Sequence, residues 1–225
     1  MEQKIIRGAL DFSWTEASFA MMCDGELLIR ANHLFSGHDA SLLPEWIAQA
    51  AEKCGGVDQI REWTVGAGPG SFSGLRIAAA FVMGLAYGKK DIRVRGISTA
   101  AAMAATAFRE KGMPEKVLVL FDGKRSEIIG YGLTLHGTDY VQDGFKGIFK
   151  TGDELKSAST GRAMCALEKD SAALAPFHAE ISLIPSIHAD QLIIHSPGDF
   201  STPPTMLEYL RAAVFVPPKT PRNIL

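Results

Sequence analysis

Cysteine is scarce and poorly placed for chemistry. Cys23, Cys54 and Cys165 are the three cysteines of a 225-residue chain; odd in number, far apart and without CxxC spacing, they exclude a disulfide scaffold and read as reduced thiols. Charge of one sign is also lacking. With 23 Lys and Arg against 25 Asp and Glu, the net charge is −2, so no overall positive field draws in a phosphate backbone and unaided tight RNA binding is not expected. The longest apolar stretch is too short to span a bilayer, and Met1-Glu2-Gln3-Lys4 opens without the apolar run of a leader. Export and a membrane anchor are therefore not expected, and the chain reads as cytoplasmic. Repeats and low-complexity runs are absent. What the chain does have is a 47% hydrophobic fraction, enough for a proper core as one large domain or two lobes.

The stretch around which the rest is organised runs from Glu62 to Gly88. A β-like run, Glu62-Trp63-Thr64-Val65, leads into Gly66-Ala67-Gly68-Pro69-Gly70-Ser71-Phe72-Ser73-Gly74, and an almost uninterrupted apolar helix follows. Gly66, Gly68 and Gly70 permit φ > 0 and close approach of other groups to the main chain, and Ser71 or Ser73 is placed to cap a helix starting near Gly74. Two readings stay open: a sharp strand-to-helix turn, or a nest of N–H groups for an anion. No Lys stands between Gly66 and Gly88, which excludes a Walker A loop. Serines at 71 and 73 break a dinucleotide fingerprint, and Phe72 stands where a nucleophile elbow needs Ser. Arg76, a cation in the first turn, opposes the helix dipole, so a compensating structural or partner contact is expected.

Along the chain, Ile5 to Leu10, Ala17 to Met22 and Leu27 to Ala31 read as strands, with a hairpin turn at Asp24-Gly25. Residues 41–54 read as an amphipathic helix with Leu42, Trp46, Ile47, Ala50 and Ala51 in one stripe, ended by Gly55-Gly56. His33 and His38 lie five apart, but neither HxxxH nor HExxH accompanies them, so a metal site is not favoured. Ser98 caps a helix from Thr99 to Lys111, stopped by Gly112 and Pro114, where a lobe boundary is placed. Val117 to Phe121 is a buried strand. Residues 136–161 read as short strands and loops, residues 187–196 as a short helix, and residues 217–221 as a frayed tail. The helix from Gly74 is apolar nearly all round, so both faces need cover. Burial in its own domain and a helix–helix interface are equally compatible with that pattern.

Gly68-Pro69-Gly70-Ser71-Phe72-Ser73-Gly74-Leu75-Arg76-Ile77, then Gly84-Leu85-Ala86-Tyr87-Gly88 and Gly96-Ile97-Ser98-Thr99, resemble the YeaZ/TsaB family, which supports formation of threonylcarbamoyladenosine in tRNA. The family's Thr is Ser73 here. His38 to Pro44, Asp122 to Ile129 and Glu208-Tyr209-Leu210-Arg211 add weaker matches, and Arg125 and Glu127 within the second read as a structural ion pair. The resemblance implies a two-lobed actin-like ATPase fold of the α/β class (ASKHA, ribonuclease H-like), with an N-terminal lobe over residues 1–112 and a more divergent C-terminal lobe over 113–225.

It further implies a scaffold subunit without chemistry of its own. Such a subunit forms a homodimer, or a heterodimer with a TsaD-like catalytic subunit, works with a TsaE-like ATPase and meets tRNA only indirectly. In that family two helices form the joint, which places Trp46, Ile47, Ala50, Ala79, Ala80, Met83, Gly84 and Tyr87 at the interface. In the actin-like superfamily an Asp near the first hairpin attends nucleotide. Asp11, Ser13, Gly68, Gly70 and Ser71 are therefore the candidates for ATP or ADP with Mg, while an Asp at a strand end also reads as a plain turn residue. The alternative is thus an ATP-binding small-molecule kinase using Asp11 or Asp122. A metallopeptidase would need a His pair on a helix, which this chain lacks.

Overall fold

The computed structural model of the chain describes residues 4–36, 39–196 and 198–210; His38, Arg211 and the segment 217–221 lie outside the described residues. The first sheet is built from β1 (Ile6–Asp11), β2 (Glu16–Cys23), β3 (Glu26–Leu34), β4 (Ile60–Gly66) and β5 (Arg93–Ile97), in the order β3-β2-β1-β4-β5. Asp24 and Gly25 both take positive φ, 50° and 86°. This is the two-residue hairpin turn whose twist suits antiparallel strands, and it sets β2 against β3 from Cys23↔Glu26 onward. The parallel pairs β1–β4 and β4–β5 need crossovers, supplied by α1 (Leu43–Glu52) and α2 (Phe72–Ala86).

The second sheet contains β6 (Lys116–Asp122), β7 (Ile128–His136), β8 (Asp139–Phe149), β9 (Ala163–Leu167) and β10 (Ser182–Ile184), in the order β10-β9-β6-β7-β8. Helices α3 (Thr99–Phe108), α4 (Gly152–Ala158), α5 (Ser171–Leu174) and α6 (Asp190–Ile194) complete the chain. The alanine-rich α3 is buried on nearly every side, as its composition requires. With α6 it fills the layer between the sheets, where Ala9, Ala20 and Met22 of the first meet Val119, Phe121, Tyr131 and Cys165 of the second. Helices α1 and α2 cover the other face of the first sheet around Phe19, Trp63 and Val65. The opposite face of the second sheet, around Leu118, Leu120 and Phe149, is covered from α4 and α5 by Leu155 and Leu174. Five layers result, in the arrangement expected of a two-lobed α/β fold.

Several local expectations need correction. Helix α1 begins at Leu43, and its buried stripe is Leu43, Ile47 and Ala51, whereas Leu42 is 51% exposed. Residues 139–149 form one strand of eleven residues, not short strands and loops, with a register shift opposite Tyr131 to Leu133. Helix α3 ends at Phe108, three residues before Lys111. The division at residue 112 separates the sheets but not the packing, because α6 lies against β1, β2 and β4. Arg95, buried on β5, fastens this return: its guanidinium donates to the carbonyls of Leu192, Ile193, Ser196 and Asp199 and to Thr64 Oγ1. A cation stationed on the last carbonyls of a helix satisfies acceptors that the helix itself cannot.

Beyond Asp199 the chain runs back along the first lobe as a strap. Gly96 N donates to Thr202 O at 2.9 Å, Glu208 N to Ala67 O at 2.7 Å and Leu210 N to Gly70 O at 3.4 Å. The strap also reaches the second lobe, since Glu208 accepts from Gln142 Nε2 at 2.8 Å and pairs with Lys146 at 3.5 Å.

Candidate functional site

The glycine-rich loop is a crowded corner. Methyl groups added at Gly66 and Gly74 would fall on Asp11 Oδ2 and the Phe12 carbonyl, and one at Gly70 would lie 2.5 Å from Ser13 Cβ. Positive φ is confined to Gly68 among the three glycines expected to use it, at 99°; Gly66 and Gly70 are required by close approach instead. Ser71 stands at the N-cap of α2, yet its side chain makes no capping hydrogen bond, and the helix starts at Phe72. The Ser71 N–H donates to Ser13 O at 2.6 Å, and the Gly68 N–H to Thr99 Oγ1 at 3.1 Å. Two donors that an anion would need are thereby committed.

Asp11 and Ser13 are both fully buried at the tip of β1. Asp11 Oδ1 accepts from Ser13 N at 2.9 Å and Ser13 Oγ at 2.6 Å, while Oδ2 accepts from Thr99 Oγ1 at 2.6 Å. Burial pushes the carboxyl above its ordinary value, and the hydrogen bonds from Ser13 and Thr99 oppose that rise. The carboxylate is thus a knot that ties the β1–β2 corner to α3.

Outside this knot a cleft of about 460 Å³ opens between the lobes, lined by Phe12, Trp14, Ser71, Ser73, Asp122, Lys124, Lys169 and Asp170 among others. Its charges are matched in place. Lys124 Nζ lies 2.6 Å from Asp122 Oδ2, and Lys169 Nζ lies 2.7 Å from Asp170 Oδ1 and 3.7 Å from the Trp14 ring centroid. Burial would raise the Asp122 carboxyl, but Lys124 outweighs burial and holds it below the ordinary range. The cleft thus carries two lysines, each paired with an aspartate, and the buried Asp11 is closed off from it. No sequence signal pointed to Trp14, Lys169 or Asp170 at this cleft. Thr99 was visible as the first residue after a capping serine and the end of the Gly96-Ile97-Ser98-Thr99 segment, 88 positions from the carboxylate it binds, with nothing to mark that contact. Glu127, expected to pair with Arg125, lies 3.5 Å from Lys150 Nζ.

The residues expected at an interface divide cleanly. Ile47 and Ala79 belong to the core beneath α1 and α2, and Trp46 and Ala50 are half-buried against it. Ala80, Met83, Gly84 and Tyr87 face outward: Met83 is 43% and Tyr87 89% exposed, and nothing lies within 4 Å of a Cβ built on Gly84. With Ser73 and Arg76 they follow the i, i+3, i+4 spacing of one helical face. At its N-terminal end the strap joins this face. The Arg76 guanidinium lies 3.7 Å from the Phe72 ring centroid, its Nε donates to Tyr209 Oη at 3.1 Å, and the Phe72 and Tyr209 rings are 4.8 Å apart. The compensating contact expected of Arg76 is therefore aromatic.

A family model described as "TsaD: tRNA N6-adenosine threonylcarbamoyltransferase" matches residues 33–162, more than half of the chain. Among curated proteins, the tRNA threonylcarbamoyladenosine biosynthesis protein TsaB of Haemophilus influenzae is 34% identical over 120 residues, covering 53% of this chain and 50% of that protein. The TsaB of Escherichia coli is 29% identical over 120 residues, covering 53% of this chain and 51% of that one. The chain belongs to this family, on its YeaZ/TsaB side. It spans about half the length of the curated relatives it matches. A solved structure of YeaZ from Pseudomonas aeruginosa shares the fold, with a TM-score of 0.66 at 21% identity over 84% of this chain and 89% of that one.

Within this YeaZ/TsaB chain, the family match takes in the glycine-rich loop, α2 and α3, and begins at His33, after Asp11 and Ser13. The outward face of α2 therefore lies inside the match, and the buried aspartate outside it. No helix among the described residues is long and apolar enough to cross a membrane. The described residues also hold no group of three or more His, Cys, Asp and Glu side chains placed to share a metal ion.

Proposed function

We propose that this chain serves the formation of threonylcarbamoyladenosine in tRNA as a non-catalytic scaffold, pairing with a TsaD-like catalytic subunit through the outward face of α2 and acting alongside a TsaE-like ATPase. The observation that carries this reading is the exposure of Ala80, Met83, Gly84 and Tyr87 on a helix whose opposite side is anchored in the core. Small residues at 80 and 84 allow helix backbones to approach closely, and Met83 and Tyr87 supply apolar area at the joint. The rest of the molecule supports a role without chemistry: Asp11 is spent on Ser13 and Thr99, and the cleft lysines are spent on aspartates. A net charge of −2 fits indirect rather than direct contact with tRNA.

The test is Ala80→Glu. Because Ala80 is exposed, the variant should fold and melt within about 0.5 kcal/mol of wild type. A carboxylate buried unpaired in a helix joint should nonetheless weaken association with the TsaD-like subunit by several kcal/mol, on the order of a thousandfold. Sedimentation of the purified pair reads the association and circular dichroism the fold. Undiminished association of the folded variant removes this face from the joint.

A further inference from the structure

The arginines of this chain are mostly spoken for. Arg7, Arg30, Arg61, Arg93 and Arg162 each pair with a carboxylate, and Arg95 and Arg109 donate to carbonyls or to Gln191. Arg76 differs. It is exposed, enters no salt bridge among the described residues, and makes one hydrogen bond there, from Nε to Tyr209 Oη. Phe72 and Tyr209 hold its guanidinium, with ring centroids 3.7 and 5.7 Å from the central carbon. The two terminal nitrogens, four N–H donors in a fixed plane, have no acceptor among the described residues.

Two features make this costly unless something is gained. The first turn of α2 carries no acidic residue, so no carboxylate of its own turn offsets the positive end of the helix dipole at Arg76. Fixing a long side chain between rings also surrenders rotamer freedom before any partner arrives. The same fixation reduces what remains to be lost when a carboxylate docks, and a planar guanidinium fork suits a carboxylate through two parallel hydrogen bonds.

We infer that Arg76 is a preformed receptor for an acidic side chain of the partner helix that packs along α2, with Tyr209 of the strap as part of the same docking face. Charge complementarity selects the occupant. A second copy of this chain packing its own α2 along this one brings no carboxylate from that helix, because residues 72–88 contain neither Asp nor Glu. The occupant is therefore a different chain, which presents Asp or Glu opposite Arg76 and an apolar seam opposite Met83 and Tyr87. Eleven residues separate Arg76 from Tyr87, so the two features on the partner lie roughly 16 Å apart along its axis. This rests on the proposed pairing with a TsaD-like subunit and assigns the charge that specifies it.

The experiment measures binding of the purified full-length chain to the TsaD-like subunit of the same cell by calorimetry, at low and high salt, for wild type, Arg76→Gln, Arg76→Lys and Ala80→Glu. Arg76→Gln should keep the wild-type melt and bind roughly ten- to a hundredfold more weakly at low salt. The gap should narrow in 1 M salt, where screening acts over a few ångströms. Arg76→Lys should recover part of the loss, since it keeps the charge but not the fork. If Arg76→Gln binds like wild type while Ala80→Glu does not bind, Arg76 serves only to hold the strap and the inference fails alone. If both bind like wild type, the docking face itself is wrong. A loss on Arg76→Gln that is equal at all salt concentrations is packing, not charge, and overturns the assignment. Should Arg76→Gln melt early, Arg76→Lys carries the test, and full affinity for that variant rules out a carboxylate fork.

Discussion

Thr99→Val isolates the knot at the base of the cleft. The substitution keeps the shape of the side chain and removes one hydroxyl, which donates to Asp11 Oδ2 at 2.6 Å and accepts from Gly68 N at 3.1 Å. Losing a hydrogen bond to a charged group costs about 1.5–3 kcal/mol, and a buried N–H left without an acceptor adds about 1–2 kcal/mol. The sum, about 3–4 kcal/mol, lowers the melting temperature of a chain of this length by about 10 °C. Its pH dependence identifies the cause. Asp11 already has a folded value above the ordinary 3.8 because of burial, and the Thr99 hydroxyl is one of the contacts that restrain it. Without that contact the folded value rises further. An acid whose folded value is raised contributes stability that is fully present below the unfolded value and is lost as pH rises through the folded one. The variant loses more over that rise, so its deficit should stay level while Asp11 is protonated in both folded proteins, grow as pH rises through the folded values, and then level off. Where Asp11 is protonated in both folded proteins, the charge-assisted part of the loss is gone and the deficit should be smaller. Calorimetric melts of both proteins at matched pH, from acid through neutral, test this. A deficit independent of pH would mean that Thr99 does not act on a charged Asp11.

Two further outcomes follow from the same packing. For Glu62, 6% exposed, burial raises the carboxyl, but hydrogen bonds from Arg93 and Arg7 and their charges bring it below the ordinary 4.5. A depressed carboxylate gives stability that is present above the unfolded value and lost as pH falls through the folded one; Glu62→Gln should therefore cost about 2 kcal/mol at pH 7, with the gap to wild type closing below pH 4 in urea titrations. Gly70→Val should cost about 3 kcal/mol through overpacking against Ser13, whose Cβ and carbonyl lie 2.5 and 2.7 Å from the added Cβ. A wild-type urea midpoint for Gly70→Val, with loss of a measurable nucleotide affinity, would restore the anion-nest reading of the loop.

What could be read from the sequence was what local chemistry dictates. The Asp24-Gly25 turn, the Ser98 cap accepting from Ala101 N, and the glycines at 55 and 56 that end α1 each act within a few residues. The apolar run from Gly74 was legible as a helix, but periodicity could not say which residues turn outward. That was decided by β4, β5 and β1, which bury Leu75, Ala78, Ala79 and Val82 and leave Ala80 and Met83 out. Strand β8 was read as shorter pieces because Gln142, Asp143 and Gly144 interrupt its middle, with positive φ at Gly144, so its alternation is broken. The cleft was illegible for a simpler reason. Trp14, Asp122 and Lys169 come from three distant segments and carry no shared motif.

The spacing of the glycines also has a different cause from the one its composition suggests. Gly66, Gly70 and Gly74 recur every four residues, and each meets one member of the Asp11-Phe12-Ser13 corner: the Asp11 carboxylate, Ser13, and the Phe12 carbonyl. A side chain at any of the three would drive the corner away. The fourth glycine, Gly68, is accounted for by its positive φ and by the Glu208 carbonyl that fills the space beside it. Every glycine in the motif thus has a protein group beside it that leaves no room for a side chain. The consequence is mechanical. The corner fixes the loop, and the loop fixes the first turn of α2, where the Ser71 N–H is held by Ser13 and the Leu75 N–H by Ser71 O. A helix whose outward face must meet a partner in one register needs its first turn held in this way. Loss of any one contact at this corner would free the helix that presents Arg76, Ala80 and Tyr87.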